Sequence, residues 1–509
     1  ITSPFLKDKI HSYILHMYGH CPKIKLYDHS TCHNYSSFYM SGFNSALSIS
    51  IDGEGDGLST NVSTLENRKG SYIHKNIYKS KNDFSLGNFY TAFTNYLGFR
   101  SVEGEYKVMG MAAYGNPNID LSSVINFSEG SLSGENYKKI FNINNYTSIT
   151  EPSYDESFIY NLTKIKRTEI NNNERFTQEH FDLAASVQKS FETAYINLIS
   201  FFVKQVNAKY VCLSGGCALN CLANKSLLKL GLKDFFVMPA SSDRGISIGA
   251  AVLGTLENNQ NLVSEQKNMY LGPSYTNDQI INILKSLNIK YEEIDDLYDD
   301  CFKSISENQI VGWHQGRSEF GPRALGARSI LASPSSKGMK DKINSKIKFR
   351  ESFRPFAPSV LREDVSEWFE IENDSPYMLL VSDVKKSKQI KMTSEDQKLF
   401  GIDKLNLKRS SIPAITHVDY SARIQTVHKE TNPRYYDLIQ EFKRNTNCPV
   451  LVNTSFNVRG EPIVCTVEDA FNCFMGTNLD ILVIEDFILF KDQQDKSLIK
   501  DYKNKFELD

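Results

Sequence analysis

His29 and His33 stand four residues apart, a spacing that a helix turns into two imidazoles on one face, about one turn from each other. Two such rings can share one metal ion, although H-x-x-x-H on its own is a weak signal and reads first as two hydrogen-bonded polar residues. Two carboxylates add to the pattern. Asp52 ends the apolar run "ALSISID" at the glycine loop "GEGDG", and Asp243 follows the strand-like "FFVM" in "PASSDRG". Two histidines and two carboxylates at helix and strand ends make a nitrogen–oxygen donor set. That set suits iron(II), or manganese, better than a closed structural zinc site. Folding has to bring Asp243 to the others, which spacing alone does not establish.

A second group is cationic. Arg317, Arg323 and Arg328 alternate with Gly316, Gly321 and Gly326, and "KIKFRESFRPFAP" adds Lys348, Arg350 and Arg354. Farther on, "THVDYSARIQTV" supplies Arg423, and "VLVNTSFNVRGEPIV" supplies Asn453, Ser455 and Asn457. These cations sit among glycines and Phe320, Pro322, Phe349, Phe353 and Phe356, not on an i, i+4 face with acids. Guanidinium groups grip phosphate bidentately and lysine adds a point charge, so the expected ligand is small and phosphorylated or adenylated. The plainer alternative is a scatter of surface arginines. Gly215 and Gly216 in "LSGGCALN" read equally as a phosphate loop or a tight strand-to-helix turn. Lys107, in "EGEYKVMGMAAYG", lies in a stretch too apolar and glycine-rich for ordinary solvated coil.

The elements behind these residues alternate. "KIKLYDH" reads as the end of a strand, "HSTCHNYSSFYMSGF" as a helix and "ALSISID" as a buried strand, followed by glycine-containing loops. Residues 116–175 are polar and Asn/Ser-rich, as in an insertion or lid. Thr177 caps a helix with a Phe176/Phe181 staple and apolar positions at Phe181, Ala184, Val187, Phe191, Tyr195 and Leu198. "YVCLSGG" is a strand entering a glycine turn before the helical "ALNCLANKSLLKL", and "FFVMPASSDRGISIGAAVLG" repeats that plan. "LGPSYTNDQIINILKSL" supplies a turn and an amphipathic helix. The pattern is that of an α/β protein. With 509 residues it exceeds one ordinary core, and the polar stretch 258–266 divides it into domains 1–262 and 263–509.

Bulk properties exclude several classes. Hydrophobic residues at 40% and charged residues at 23% are globular values, and 58 basic against 60 acidic side chains leave no basic field for nucleic acid. Nine cysteines, none in C-x-x-C spacing, point to a reduced cytoplasmic compartment, with Cys217 and Cys221 as small buried thiols. No apolar run approaches the ~20 residues of a membrane span. The chain opens on Ile1 with "ITSPFLKDKIHSYILHMYGH", which reads as a helix entered in mid-domain, so a fragment is expected.

Six blocks carry a family resemblance: "EYKVMGMAAYG", "LSGGCALNCLAN", "FGPRALGARSILASP", "KFRESFRPFAPSV", "THVDYSARIQTV" and "VNTSFNVRGEPIV". In that order they resemble the NodU/CmcH-type O-carbamoyltransferases, which carbamoylate nodulation factors, cephalosporins and aminoglycosides. The resemblance implies an N-terminal actin/sugar-kinase-like (ASKHA) domain, lacking its first strands here, followed by a YrdC-like α/β domain. The YrdC-like domain would form carbamoyl-adenylate from carbamoyl phosphate and ATP with Mg(2+). There Arg323, Lys348 and Arg354 would act catalytically, and Arg328, Arg423, Asn453 and Ser455 would hold substrate phosphates.

In the first domain His29, His33, Asp52 and Asp243 match the family's iron ligands, while Gly215, Gly216 and Asn220 would face the adenylate. Lys107 is placed with the nucleotide-binding residues. Partners implied are carbamoyl phosphate, ATP and a small hydroxyl-bearing acceptor, with no nucleic acid or membrane, and a homodimer as family members suggest. The family's opening strand carries a histidine–aspartate pair that this sequence does not include. Two alternatives stay open: threonylcarbamoyl-adenylate synthesis for tRNA, and a catalytically silent nucleotide-binding protein.

Overall fold

A computed structural model describes residues 4–68, 70–81, 83–141, 154–168, 176–258, 260, 262, 268–294, 296–336, 338–350, 353–399, 401–499, 501–502 and 505–506. The chain forms two compact units. The first comprises Ile1–Phe93, Asp120–Leu162 and Lys189–Lys267; the second comprises Thr94–Ile119, Thr163–Gln188 and Asn268–Asp509. The boundary expected between 262 and 263 falls where residues 259, 261 and 263–267 lie outside the described set. So do residues 142–153 and 169–175 of the expected insertion.

The first unit is built on five strands. β1 (Ser45–Gly55), β2 (Leu58–Arg68) and β3 (Ser71–Lys81) form an antiparallel meander. A small hairpin, β4 (Asn126–Ser128) with β5 (Ser131–Ser133), stands apart from the main sheet. β6 (Tyr210–Ser214) and β7 (Asp234–Val237) continue the sheet parallel to β1, giving the order β3-β2-β1-β6-β7. The His29–Ser41 helix covers this sheet, and its buried contact is polar as well as apolar. Asn61 Nδ2 donates to Ser30 Oγ at 2.9 Å, Asn34 Nδ2 to Ser63 Oγ at 3.3 Å, and the Ser37 and Ser48 hydroxyls meet at 3.2 Å. These bonds pair polar groups across the contact, so the helix sits close on the sheet despite its poor intrinsic propensity.

The second unit holds a nine-stranded mixed sheet. Its strands are β8 (Glu292–Glu293), β9 (Val311–His314), β10 (Arg328–Ala332), β11 (Ala357–Leu361), β12 (Leu380–Asp383), β13 (Ser421–Val427), β14 (Val450–Ser455), β15 (Ile481–Ile484) and β16 (Phe487–Phe490). They are ordered β12-β13-β11-β14-β10-β9-β15-β16-β8. β11–β13 and β9–β15 pair in parallel, and the remaining neighbours are antiparallel. The Asn277–Ser286 helix, expected as an amphipathic helix, opens with a capping box between Thr276 and Gln279. Both units are therefore α/β with mixed sheets.

Two local expectations differ from the structure. "KIKLYDH" forms no strand: residues 20–28 run as irregular chain into the Asp28 cap of the His29–Ser41 helix. The stretch after Asp52, expected as glycine-containing loops, is instead the β2–β3 hairpin. Its residues Ser59, Thr60, Asn61 and Ser63, on both faces of the strand, are polar but fully buried, so the strand lacks an apolar signature.

Candidate functional site

Within the first unit, His29, His33, Asp52 and Asp243 converge, with one ligand atom from each lying within 4.8 Å of all the others. Asp28 caps the His29–Ser41 helix through Thr31 N at 2.8 Å, which fixes His29 in the first turn and His33 on the same face one turn later. Their rings meet edge-on at 4.8 Å. β1 delivers Asp52 at its C-terminal end, just where its register against β2 shifts between Ile51 and Gly55. Asp243 arrives from the turn after β7, at the head of the Ile246–Glu257 helix.

Both Nε2 atoms point at the carboxylates. His33 Nε2 is 3.0 Å from Asp52 Oδ2 and 3.7 Å from Asp243 Oδ1; His29 Nε2 is 3.4 and 3.5 Å from the same atoms. The other Asp52 oxygen is held by the backbone, accepting Gly53 N at 2.8 Å and Gly216 N at 3.3 Å. Gly55 presses on His29 so closely that a Cβ there would lie 2.1 Å from the ring carbon Cδ2.

The charges explain the convergence. Burial alone would pull the His33 imidazole down, but hydrogen bonds to Asp243 and Asp52 outweigh it and raise the ring to about 9. Burial likewise pushes Asp52 up, yet His29 and His33 hold it well below the ordinary carboxylate range. Two imidazole nitrogens and two carboxylate oxygens gathered round one point are a donor set that a divalent cation fits. His33 Nδ1 is buried without a hydrogen-bond partner, although a ligating histidine ordinarily anchors its second nitrogen.

Of the other first-unit candidates, Gly215 and Gly216 form the turn after β6. Gly215 adopts φ +84°, and a Cβ on it would strike Ile51 O at 2.2 Å, so this turn is obliged to be glycine by its packing on β1. Asn220 caps the following short helix by accepting Ala223 N at 3.1 Å.

In the second unit, β13, β11 and β14 set Arg423, Gln425, Ser359, Asn453 and Ser455 on one face of the sheet, because alternate residues share a face and paired residues match. Asn453 Nδ2 donates to Gln425 Oε1 at 2.8 Å and to Ser359 Oγ at 3.0 Å. Lys348, buried at 3% exposure, donates to Ser455 Oγ at 3.1 Å and Asn457 Oδ1 at 2.7 Å. Burial pushes its ammonium well below the ordinary lysine range, and Arg350 and Arg354 add to that. The structure thus brings Lys348, Ser455 and Asn457 together.

Arg328 lies elsewhere. Ser329 pairs with Ser455, so its neighbour Arg328 points to the opposite face. There it is fully buried and donates to the carbonyls of Gln315 (2.9 Å), Gly316 (3.2 Å), Pro273 (3.3 Å) and Cys465 (3.3 Å). Its donors are committed to holding the 315–328 loop. Arg323 is half-buried within that loop, Arg354 stacks over the Tyr106 ring at 4.9 Å, and Lys107 is buried over Phe99 at 5.4 Å.

Sequence reasoning passed over Glu319. Its Oε1 accepts Leu325 N at 2.6 Å, Ala327 N at 2.8 Å and Arg328 N at 3.2 Å, so one carboxylate oxygen shapes the loop. An acidic residue among arginines and glycines was the available signal. It also passed over Gln425 and Ser359, which look like ordinary strand polar residues until β11 and β13 pair.

A model of the carbamoyltransferase N-terminus matches residues 4–252, and one of the carbamoyltransferase C-terminus matches residues 302–491. An uncharacterised Synechocystis protein is 41% identical over 499 residues, covering 96% of this chain and 80% of its own. Nodulation protein NolO of Bradyrhizobium diazoefficiens is 36% identical over 478 residues, 91% of this chain and 79% of its own. The 3'-hydroxymethylcephem-O-carbamoyltransferase of Streptomyces clavuligerus is 30% identical over 277 residues, 54% of this chain and 47% of its own. Among solved structures, full-length HypF in its phosphate- and nucleotide-bound form aligns at 16% identity over 46% of this chain and 43% of that one. Its TM-score of 0.27 carries no weight for fold or site. These matches define an enzyme that transfers a chemical group. The chain belongs to the carbamoyltransferase family.

Proposed function

We propose that this carbamoyltransferase works through carbamoyl-adenylate, with the second unit activating the carbamoyl group and the first transferring it to a hydroxyl of a small sugar-containing or natural-product acceptor. The carrying observation is the Lys348–Ser455–Asn457 cluster, a buried ammonium held at the end of β14 among arginines. In this reading carbamoyl phosphate and water give carbamate and inorganic phosphate. A carbamate oxygen then attacks the α-phosphorus of Mg(2+)-bound ATP, and pyrophosphate leaves. The acceptor oxygen finally takes the carbamoyl carbon, AMP departs with the bonding pair, and the hydroxyl proton passes to solvent. Lys348, Arg323 and Arg354 would meet the phosphate charge, with Arg423, Asn453, Ser455 and Lys107 positioning the substrates.

In the first unit, His29, His33, Asp52 and Asp243 would hold iron(II), with manganese as the alternative; when bound, the ion supplies Lewis acidity toward a carbonyl. Gly215, Gly216 and Asn220 would offer backbone and side-chain polar groups beside it. The sheet order, three antiparallel strands followed by two parallel ones, supports an actin/sugar-kinase-like first unit. A YrdC-like second unit rests on the family resemblance.

ATP–pyrophosphate exchange tests this reading. Exchange should require carbamoyl phosphate, vanish in Arg323→Ala and survive in His29→Ala. Exchange supported by bicarbonate and threonine instead would favour threonylcarbamoyl-adenylate synthesis. ATP binding without any exchange would mark a silent nucleotide-binding protein.

A further inference from the structure

Arg409 is 3% exposed, yet only its Nη1 has an observed role, donating to Leu407 O at 3.1 Å. Its Nε and Nη2, the pair of N–H groups along one edge of the guanidinium, are buried without partners. That edge is the one that grips two oxygens of an oxyanion side-on. Leaving it bare costs desolvation with nothing in return, and no carboxylate lies within ion-pair distance of it among the described residues.

His417 repeats the pattern. It is 6% exposed, and its Nε2 is buried without a partner while Nδ1 faces Asp419 Oδ1 at 3.4 Å. The two residues lie on segments that are tied together. The His417 ring meets the Tyr114 ring edge-on at 5.3 Å, and the hydroxyls of Ser410 and Thr416, the chain neighbours of Arg409 and His417, meet at 2.6 Å. Tyr114 itself is occupied, donating to Phe353 O at 3.0 Å, so it does not satisfy either cation. A third cation is near. Burial, and then Arg409, push the Lys340 ammonium down to about 7.

We infer that Arg409 and His417 form a buried subsite of the second unit that takes a single phosphate group. Arg409 would hold two phosphate oxygens through Nε and Nη2, and His417 would turn its unpaired Nε2 to a third. Asp419 would keep the second ring proton in place. The side-on edge of Arg409 with a further ring nitrogen offers donors to three oxygens, which a tetrahedral phosphate has and a carboxylate lacks. None of this depends on carbamoyl-adenylate being the intermediate, since inorganic phosphate alone is the probe.

The test is equilibrium binding of inorganic phosphate to the full chain without ATP or carbamoyl phosphate, with a crystal structure grown in phosphate. Tetrahedral density on Arg409 Nε and Nη2 is expected. Arg409→Lys, which keeps the charge and loses the edge, should weaken binding at this site about tenfold or more, and His417→Gln somewhat less. If Arg409→Lys does not fold, the structure of the unmodified protein decides. Only water on that edge overturns the inference, as does unchanged phosphate affinity in a folded Arg409→Lys. Acetate binding there as tightly as phosphate overturns it too, because the subsite would then be for carboxylates.

Discussion

His33 Nε2 sits 3.0 Å from Asp52 Oδ2, while Oδ1 of the same carboxylate is pinned by the N–H groups of Gly53 and Gly216. One oxygen is thus fixed by the fold and the other is left to face the histidines, which is how a ligating carboxylate is oriented by its surroundings. Asp52→Asn keeps the shape and removes the charge. Iron retained after dialysis against a chelator should fall, with affinity down by at least about 100-fold. Metal content equal to that of the unmodified protein would sink the assignment. Carbamoyl phosphate-dependent exchange should be unaffected, which separates loss of metal from loss of folding.

Gly55 supplies a second route to the same centre. A Cβ at this position would lie 2.1 Å from His29 Cδ2 and 2.4 Å from Cγ, so Gly55→Ala has to push the imidazole off its place. We expect reduced iron content together with a stability loss of about 1–3 kcal/mol. Gly57→Ala is the matched control. Its neighbour space is open but its φ is +78°, so it should cost about 1 kcal/mol in backbone strain and leave bound iron unchanged. Parallel metal analysis and thermal melts read both effects.

What was legible follows from which interactions are local. The i, i+4 histidines, the amphipathic helix after "LGPSYT" and the strand-to-glycine turn at Ser214–Gly216 are encoded within a few residues, and each is found in the structure. The Phe176/Phe181 staple, another short-range signal, has its rings 6.2 Å apart. Arg328 was not legible. Its setting among glycines and aromatics resembles that of Arg323, but register against β14 turns it to the opposite face and carbonyls far apart in sequence absorb its donors. The β2–β3 hairpin was hidden for the converse reason, because its buried residues are polar and make sense only against the His29–Ser41 helix. Residues 94–119, which include the "EYKVMGMAAYG" block, cluster with the second unit; that depends on contacts no window of sequence contains.

His314 should make the protein acid-sensitive. Its side chain is 1% exposed in β9, and burial, then the charge of Arg328, push the imidazole from 6.5 down to about 3. A group depressed in the folded state binds more protons when unfolded, so stability rises with pH between those values. The contribution is complete above about 6.5 and is lost as pH falls toward 3, a few kcal/mol in all. His314→Gln, whose amide can still donate to Cys465 O, should flatten this dependence and move the acid-unfolding midpoint to lower pH. An unchanged midpoint would mean that the imidazole does not carry the effect.

Glu319 offers a test of how the cationic loop is held. Its Oε1 accepts the N–H groups of Leu325, Ala327 and Arg328, and Gly316 N on the same loop is tied to the Glu485 carboxylate. Arg323, the residue proposed to meet substrate phosphate, lies between Glu319 and the N–H groups it binds. Removing the carboxylate leaves buried N–H donors unpaired, at a cost of about 1–3 kcal/mol for each group that finds no water. Glu319→Ala should therefore lower the melting temperature and abolish exchange together, which by itself would not separate loop geometry from folding. Glu319→Gln does separate them, because its amide oxygen still accepts while the charge is gone. The melt should then change little, and KM for carbamoyl phosphate should rise severalfold with kcat for exchange nearly kept, since the loop loses rigidity but no group that meets the phosphate. If instead kcat collapses with KM unchanged, Glu319 takes part in the chemistry and the loop-shaping role is wrong.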